Sequence, residues 1–404
     1  MLNFIKKTLS IKPSIYFLYY FTLVFFSVVA VMCFAGNKEQ QFSYLAQSFL
    51  HGKTYFLSMP DRWMDAVPYN GLYYWPLGPM PAVVLMPFVY IFGLFHVLFL
   101  QGYLQLPLGI ITFFLIYKIA KKFNYSHNDS FLWSFAFIFS SMYIGVFFLP
   151  WSWWFAQIFT VTLLFALLYE FLGKKRTWLL SLITASLLLS RITAGLTAII
   201  FLTLNYLFIE KNKRKIKDLS ILYTFIVSSV VVFFTYNYIR FDNIFETGYN
   251  LQIIHPVLTG NREIGIYSLK HFPANFYYCF LSLPKVIFYP DTHVARFPYF
   301  LPDPWGMSIF LTSPYLLLLF LYQYKKPLEK IILVSSFVSL IAIFLYYGIG
   351  YQQFGYRYAL DFLPFIFVLL MYKYKEAHSS LSFKIKILIV TSAFFNFYMN
   401  ILFH

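Results

Sequence analysis

Three carboxylates, Glu39, Asp61 and Asp65, fall within one polar stretch, residues 36–81, of a chain with only 15 acids among 404 residues. A carboxylate in that setting can act as a general base, taking the proton from an acceptor hydroxyl as it attacks an activated carbon. Tyr69 opens the turn signal Tyr69-Asn70-Gly71 close behind, and Tyr73, Tyr74 and Trp75 follow it. Their faces suit stacking on a sugar or a lipid headgroup, although belts at membrane interfaces are rich in the same residues. Glu39 follows the first apolar run by a few positions, so it would sit near the bilayer surface. Asp61 adjoins Arg62 and reads as a local pair. Glu39 and Asp65 are therefore the leading candidates for the base, with Asp61 behind them.

Ionisable groups at membrane depth are costly and are working residues by default. Arg191 in LLLSRITAGL and Arg357 in FGYRYALDFLPF have that setting. A planar guanidinium matches a phosphate with two parallel hydrogen bonds. Arg357 and Asp361 are four apart and are expected to pair across one helical turn. The plainer alternative is a snorkelling arginine at a hairpin tip and a structural ion pair. Arg262 and Lys270, in a long later loop, are further candidates for holding a phosphate. No HExxH, DxD or CxxC spacing occurs, so no residue is named as a metal ligand and a divalent cation is left open. Cys33 and Cys279 are too few for a disulfide framework and are expected in the core.

These residues need a scaffold, and the composition says which. The chain is 60% hydrophobic, 24% aromatic and 11% charged, with a mean hydropathy of +0.67. That is an all-α polytopic membrane protein, with the lipid bilayer as its first partner. A net charge of +16 would suggest nucleic acid in a soluble protein. Here 21 of the 31 Lys and Arg lie in six clusters between apolar runs, which orients helices toward the cytoplasm instead. The clusters are Lys6/Lys7/Lys12, Lys118/Lys121/Lys122, Lys174/Lys175/Arg176, 211–217, Lys325/Lys326/Lys330 and 373–386. Nucleic acid is not expected as a partner.

With all six clusters on the cytoplasmic side, the N-terminus is inside and the apolar run from Ile15 to Ala35 is a first membrane helix rather than a removed signal. Runs then cross in pairs, turning at Pro150–Trp154, near Arg191 and at 348–361. Between Pro79 and Lys118 the parity demands one crossing plus an interfacial or re-entrant piece, because Pro79, Pro81, Pro87 and Pro107 break regular helix. The total is about 11 crossings, in one integral-membrane domain over residues 1–404. A first outer loop spans 36–78 and a second spans 240–305. The nine acids outside the cytoplasmic segments all fall in outer segments, and this convergence points to a working face on the outside of a cell membrane.

A long first outer loop with an acid soon after helix one, closed over by later outer loops, resembles the GT-C glycosyltransferases that use polyprenyl-phosphate sugars. More closely, the chain resembles a group of bacterial multi-pass membrane proteins related to that superfamily. The phrases carrying the likeness are NKEQQFSYLAQSFLHGK, DAVPYNGLYYWPLGPMPAVVLMPF, SRITAGL, YNYIRFDNIFETGY, DPWGMSIFLTSPYLLL and QQFGYRYALDFLPF, in order along most of the chain. The resemblance implies a catalytic acid in the first outer loop. Asn37-Lys38-Glu39 stands where an Asp-containing pair is usual, so either Glu39 substitutes or Asp65 is the working acid. It implies a polyprenyl-phosphate sugar as donor and a cell-envelope lipid, glycan or protein as acceptor. The leading expectation is a membrane glycosyltransferase with Glu39 or Asp65 as base, and Arg191, Arg357, Arg262 or Lys270 steadying the phosphate. The alternatives are a transporter of lipids or lipid-linked oligosaccharides, and a surface-polysaccharide polymerase or ligase. A transporter would favour duplicated halves around a midplane site, and no repeat is visible.

Overall fold

Polar interruptions divide the chain into helices in the order the hydrophobic pattern sets. In the computed structural model, which describes residues 15–35, 39–58, 64–209 and 215–403, the first is α1 (Ile15–Phe34). The following loop holds α2 (Gln41–Leu50) and an antiparallel hairpin of β1 (Val67–Tyr69) and β2 (Leu72–Tyr74), with Tyr69 opposite Leu72. Then come α3 (Met80–Gly93), α4 (Gln101–Lys122), α5 (His127–Phe139), α6 (Tyr143–Phe147) and α7 (Ser152–Phe171). They are followed by α8 (Thr177–Leu188), α9 (Ile192–Phe208) and α10 (Lys215–Phe241). The second long loop carries α11 (Thr259–Ile264), α12 (Phe272–Phe280) and a hairpin of β3 (Lys285–Phe288) and β4 (Ala295–Leu301). The chain closes with α13 (Ile309–Thr312), α14 (Pro327–Phe344), α15 (Leu363–Ala377) and α16 (Phe383–Phe403).

Among the described residues six helices, α1, α4, α7, α10, α14 and α16, are long and apolar enough to cross a membrane. The chain is thus a polytopic helical membrane protein; six helices, not about 11, have crossing length among the described residues, and the other segments expected to cross are shorter or interrupted. Helices α8 and α9 have 12 and 17 residues. The apolar run after Met307 is split between α13 and a 3-10 turn that starts at Pro314, where proline has no N–H to continue the ladder. Between Pro79 and Lys118 only α4 has crossing length; α3 stops after 14 residues with Pro87 inside it.

Helix α7 carries Gln157, Thr160 and Thr162 among its apolar residues, and all three are buried. It is the buried centre: 83% of its membrane-length window is buried, against 17% for α10. Helices α4, α8 and α15 pack around it, and the Thr112 and Thr162 hydroxyls meet at 2.8 Å between α4 and α7.

Polar ties join segments that are far apart in sequence, and they separate into two ends. At one end Lys386 pairs with Asp129 at 2.9 Å, Lys373 with Glu329 at 2.9 Å and Arg176 with Glu170 at 2.9 Å. Thr177 donates to Asp218 at 2.8 Å, and Lys326 pairs with Glu376. These are the segments that the charge clusters assign to one face, and their acids are consumed in holding it together. The other end gathers Glu39, Asp65, Gly78, Gln101, 150–154, 190–193, Gln252 and 353–361.

Candidate functional site

At this second end the first loop is docked by backbone contacts. Asp65 has φ +69°, a left-handed conformation that Asp tolerates better than most residues. Its N–H donates to the Ile253 carbonyl at 2.7 Å, and the Ile253 N–H donates back to Ala66 at 2.9 Å, so the two long loops hold each other. Gly78 lies against the α8–α9 turn; a Cβ there would stand 2.1 Å from the Leu189 carbonyl oxygen. Only glycine permits that approach, which brings the first loop up to Arg191.

The Asp65 carboxylate accepts from Trp153 Nε1 at 2.9 Å and from Gln252 Nε2 at 2.9 Å. Both donors are neutral and each takes one oxygen. Burial pushes the carboxyl up to about 6 from 3.8; Glu39 adds to the rise, while Trp153, Arg357 and Gln252 oppose it. A carboxylate titrating near neutrality is suited to exchanging protons at physiological pH.

Glu39 is held by its backbone. Its carbonyl accepts from Gln101 Nε2 at 3.0 Å and from Ser152 Oγ at 3.2 Å. Gln101 also donates to the Pro150 carbonyl at 2.6 Å and accepts from the Phe42 N–H at 3.2 Å. Gln101 and Ser152 are fully buried, so this polar knot at the head of α4 and α7 fixes where Glu39 leaves α1.

Glu39, Asp65 and Arg357 line one cavity of about 620 Å³. Its walls are aromatic: Trp151 at the N-cap of α7, Trp153 and Trp154 in its first turn, and Tyr346, Tyr347 and Tyr351 from the segment after α14. A smaller cavity of about 100 Å³, lined by Arg191, Thr193, Phe233 and Ile343, adjoins it, and Trp153, Tyr346 and Tyr358 face both. The first is large enough for a small polar ligand and the second is mostly apolar.

The two arginines are not equivalent. Arg191 Nε meets Asp361 Oδ1 at 2.7 Å and its Nη2 meets Oδ2 at 2.9 Å, and Thr193 donates to the same carboxylate. The expected pairing of Arg357 with Asp361 is thereby corrected. The 3-10 turn Arg357–Asp361 sends the Asp361 side chain to α9 rather than back along its own backbone. Arg191 is also no snorkelling tip residue, because its guanidinium is buried in that ion pair. Arg357 forms no ion pair among the described residues. Its backbone is held at both ends, by Gln353 Oε1 at 3.0 Å and Gln157 Nε2 at 3.1 Å, and its buried Nε has no partner. Both guanidinium carbons lie near the Tyr358 ring centroid, at 5.6 Å for Arg191 and 5.4 Å for Arg357.

Other expected residues lie elsewhere. Tyr69, Tyr73, Tyr74 and Trp75 line neither cavity. Tyr69 and Tyr74 pack edge-on against Phe241 at 5.6 and 5.3 Å, and Trp75 is buried between Phe42 and Trp153. They stabilise the loop, and the aromatic walls come instead from the three tryptophans of PWSWW. Arg262 donates to the Gln252 carbonyl at 2.6 Å, steadying the segment that holds Asp65. Lys270 is exposed, with its N–H on the Ser268 hydroxyl at 3.2 Å in a local turn. Neither lines either of these two cavities. Asp61 lies outside the described residues. Among the described residues no three His, Cys, Asp or Glu side chains group as metal ligands.

No family model and no curated protein matches the chain. Among solved structures it is similar to the apo crystal structure of the Archaeoglobus fulgidus oligosaccharyltransferase. The identity is 12% and the TM-score 0.46, over 94% of this chain and 55% of that one. It is similar, too, to the Archaeoglobus fulgidus oligosaccharyltransferase AglB in complex with an inhibitory peptide and a dolichol-phosphate. There the identity is 12% and the TM-score 0.44, over 96% of this chain and 56% of that one. The chain spans about half the length of these two proteins.

Proposed function

We propose that this protein is a membrane glycosyltransferase of the GT-C kind. It would move a sugar from a polyprenyl-phosphate donor to a cell-envelope acceptor on the outer face of a cell membrane. The observation that carries the reading is the shared cavity. One wall offers Asp65, its carboxyl pushed up to about 6 between two neutral donors; another offers Arg357, a buried cation without a carboxylate ion-pair partner among the described residues.

In this reading Asp65 is the base. It takes the proton of the acceptor hydroxyl as that oxygen bonds to the anomeric carbon. The bond from that carbon to the phosphate oxygen breaks, and the electron pair leaves on polyprenyl phosphate. Arg357 meets the charge that grows there, and Glu39, in the same cavity, holds the acceptor or shares the base role. The tryptophans at the start of α7 supply faces for the sugar, and the adjoining apolar cavity suits the first units of a lipid chain. Arg191 acts as a positioning residue, since Asp361 occupies its fork.

Binding of a polyprenyl phosphate to the purified protein, followed by native mass spectrometry, tests the anion half of this. Arg357→Ala is expected to lose the adduct, while Arg262→Ala and Lys270→Ala keep it. Retention by Arg357→Ala, or equal loss in all three, would overturn the assignment. Binding intact with no sugar transferred to any envelope acceptor would favour the transporter alternative.

A further inference from the structure

A polyprenyl-phosphate sugar has a polar head and an apolar chain joined through one phosphate, and the two cavities divide in the same way. Glu39, Asp65 and Arg357 line the first, and the second is mostly apolar. In the proposed transferase the sugar occupies the first and the near end of the chain the second, so the phosphate lies where they meet. Three side chains, Trp153, Tyr346 and Tyr358, face both cavities, and each carries one polar hydrogen.

Two of the three hydrogens are engaged within the protein. Trp153 Nε1 donates to the Asp65 carboxylate at 2.9 Å, and Tyr346 donates its hydroxyl to that of Tyr347, whose ring lies 4.9 Å away. Tyr358 differs. Its ring centroid stands 5.6 Å from the Arg191 guanidinium carbon and 5.4 Å from that of Arg357, and its oxygen accepts from Arg357. A phenol that accepts in this way keeps its own hydrogen to donate, and the cation beside it strengthens the bond that hydrogen makes. The hydroxyl is also fixed in place. Tyr346 and Tyr356 pack edge-on with the ring at 5.9 and 6.1 Å, and a Cβ on Gly348 would stand 3.1 Å from the hydroxyl oxygen.

We propose that the donor's phosphate sits at this junction, with the Tyr358 hydroxyl donating to one of its free oxygens while Arg357 meets another. The site rests on the transferase reading above and gives that donor's phosphate a second ligand. Arg191 stays with Asp361 and reaches the phosphate only through the Tyr358 ring that it flanks. An isoprenoid phosphate fills the junction and the apolar cavity together, whereas free phosphate fills the junction alone. The junction thereby selects a phosphate that carries an isoprenoid chain.

The test measures binding of farnesyl phosphate and, separately, of inorganic phosphate to the purified full chain, as wild type, Tyr358→Phe and His255→Ala. Tyr358→Phe keeps the ring between the guanidinium groups and removes only the hydroxyl. His255 lines the polar cavity and not the apolar one. Farnesyl phosphate is expected to bind the wild type well ahead of inorganic phosphate. It should lose about tenfold or more in affinity in Tyr358→Phe and no more than about twofold in His255→Ala. A ring-fluorinated tyrosine at position 358 gives a second readout in a chain that keeps the hydroxyl. Its fluorine resonance should shift with farnesyl phosphate and stay in place with inorganic phosphate at the same concentration. Undiminished binding by Tyr358→Phe, an equal loss in His255→Ala, or a resonance that does not move would overturn the junction. Inorganic phosphate binding as tightly as farnesyl phosphate would overturn it too, because the chain would then have no seat. A wild type that binds neither farnesyl nor undecaprenyl phosphate would remove the transferase reading and this site with it.

Discussion

Arg191 and Asp361, 170 positions apart, form a buried two-bond ion pair at 2.7 and 2.9 Å. This pair ties the α8–α9 turn to the segment before α15 and leaves Arg357 as the cation facing the cavity. Removing one partner of a buried pair strands the other charge, at a cost of about 3–5 kcal/mol. Arg191→Met and Asp361→Leu should each lower the thermal midpoint in detergent markedly. The double variant should lose less than either alone. A double variant as damaged as the sum of the singles would show that the two side chains act independently.

Asp65 gives a pH dependence with a defined sign. In the folded protein its carboxyl keeps a proton up to about pH 6, against 3.8 for the ordinary group. Between these values the folded state binds the extra proton, so raising the pH through the window costs stability. The thermal midpoint of Asp65→Asn should therefore gain on that of the wild type between pH 4 and pH 7. A midpoint difference that does not change with pH would contradict the shifted carboxyl.

Trp153 and Gln252 stabilise the ionised form of Asp65 by donating to it. Trp153→Phe keeps the ring and removes the donor, so the carboxyl should rise further. Where transfer is measured, the acid limb of kcat against pH should move to higher pH, while Lys270→Ala leaves it in place. A limb that stays put in Trp153→Phe, or moves down, would count against Asp65 as the titrating group.

Gly78→Ala places a methyl against the Leu189 carbonyl, and backbone has to give way. A loss of about 1–3 kcal/mol is expected, with the first loop displaced from the Arg191 turn. Limited proteolysis within residues 39–78 should become faster. Unchanged stability and protease resistance would mean that the contact does not hold the loop.

Much of this arrangement is legible in the chain. The apolar runs and lysine clusters identify a membrane bundle with two distinct ends, and scarce acids in the first loop single out Glu39 and Asp65. Which arginine pairs with Asp361 is not legible, because the answer lies in how α9 packs on the segment before α15. Local spacing offers Arg357, four residues away, yet the 3-10 turn points the carboxylate elsewhere. The aromatic lining of the cavity is not legible for a similar reason. Tyr69, Tyr73, Tyr74 and Trp75 stand beside the acid in sequence, whereas the cavity wall comes from Trp151, Trp153 and Trp154, brought there by the start of α7. A signal for the missed residues does exist. Gln101 and Gln252 are amides without an evident local use, and Gln101 begins a membrane-length helix, where a polar group needs a partner.

The most direct measurement is transfer of a labelled sugar from a polyprenyl-phosphate donor by purified protein in proteoliposomes, comparing wild type, Asp65→Asn and Glu39→Gln. The account predicts that Asp65→Asn loses transfer while still binding the lipid phosphate, and that Glu39→Gln is weakened less. Full transfer by Asp65→Asn would contradict the claim that this carboxylate, facing Arg357 across the shared cavity, is the base.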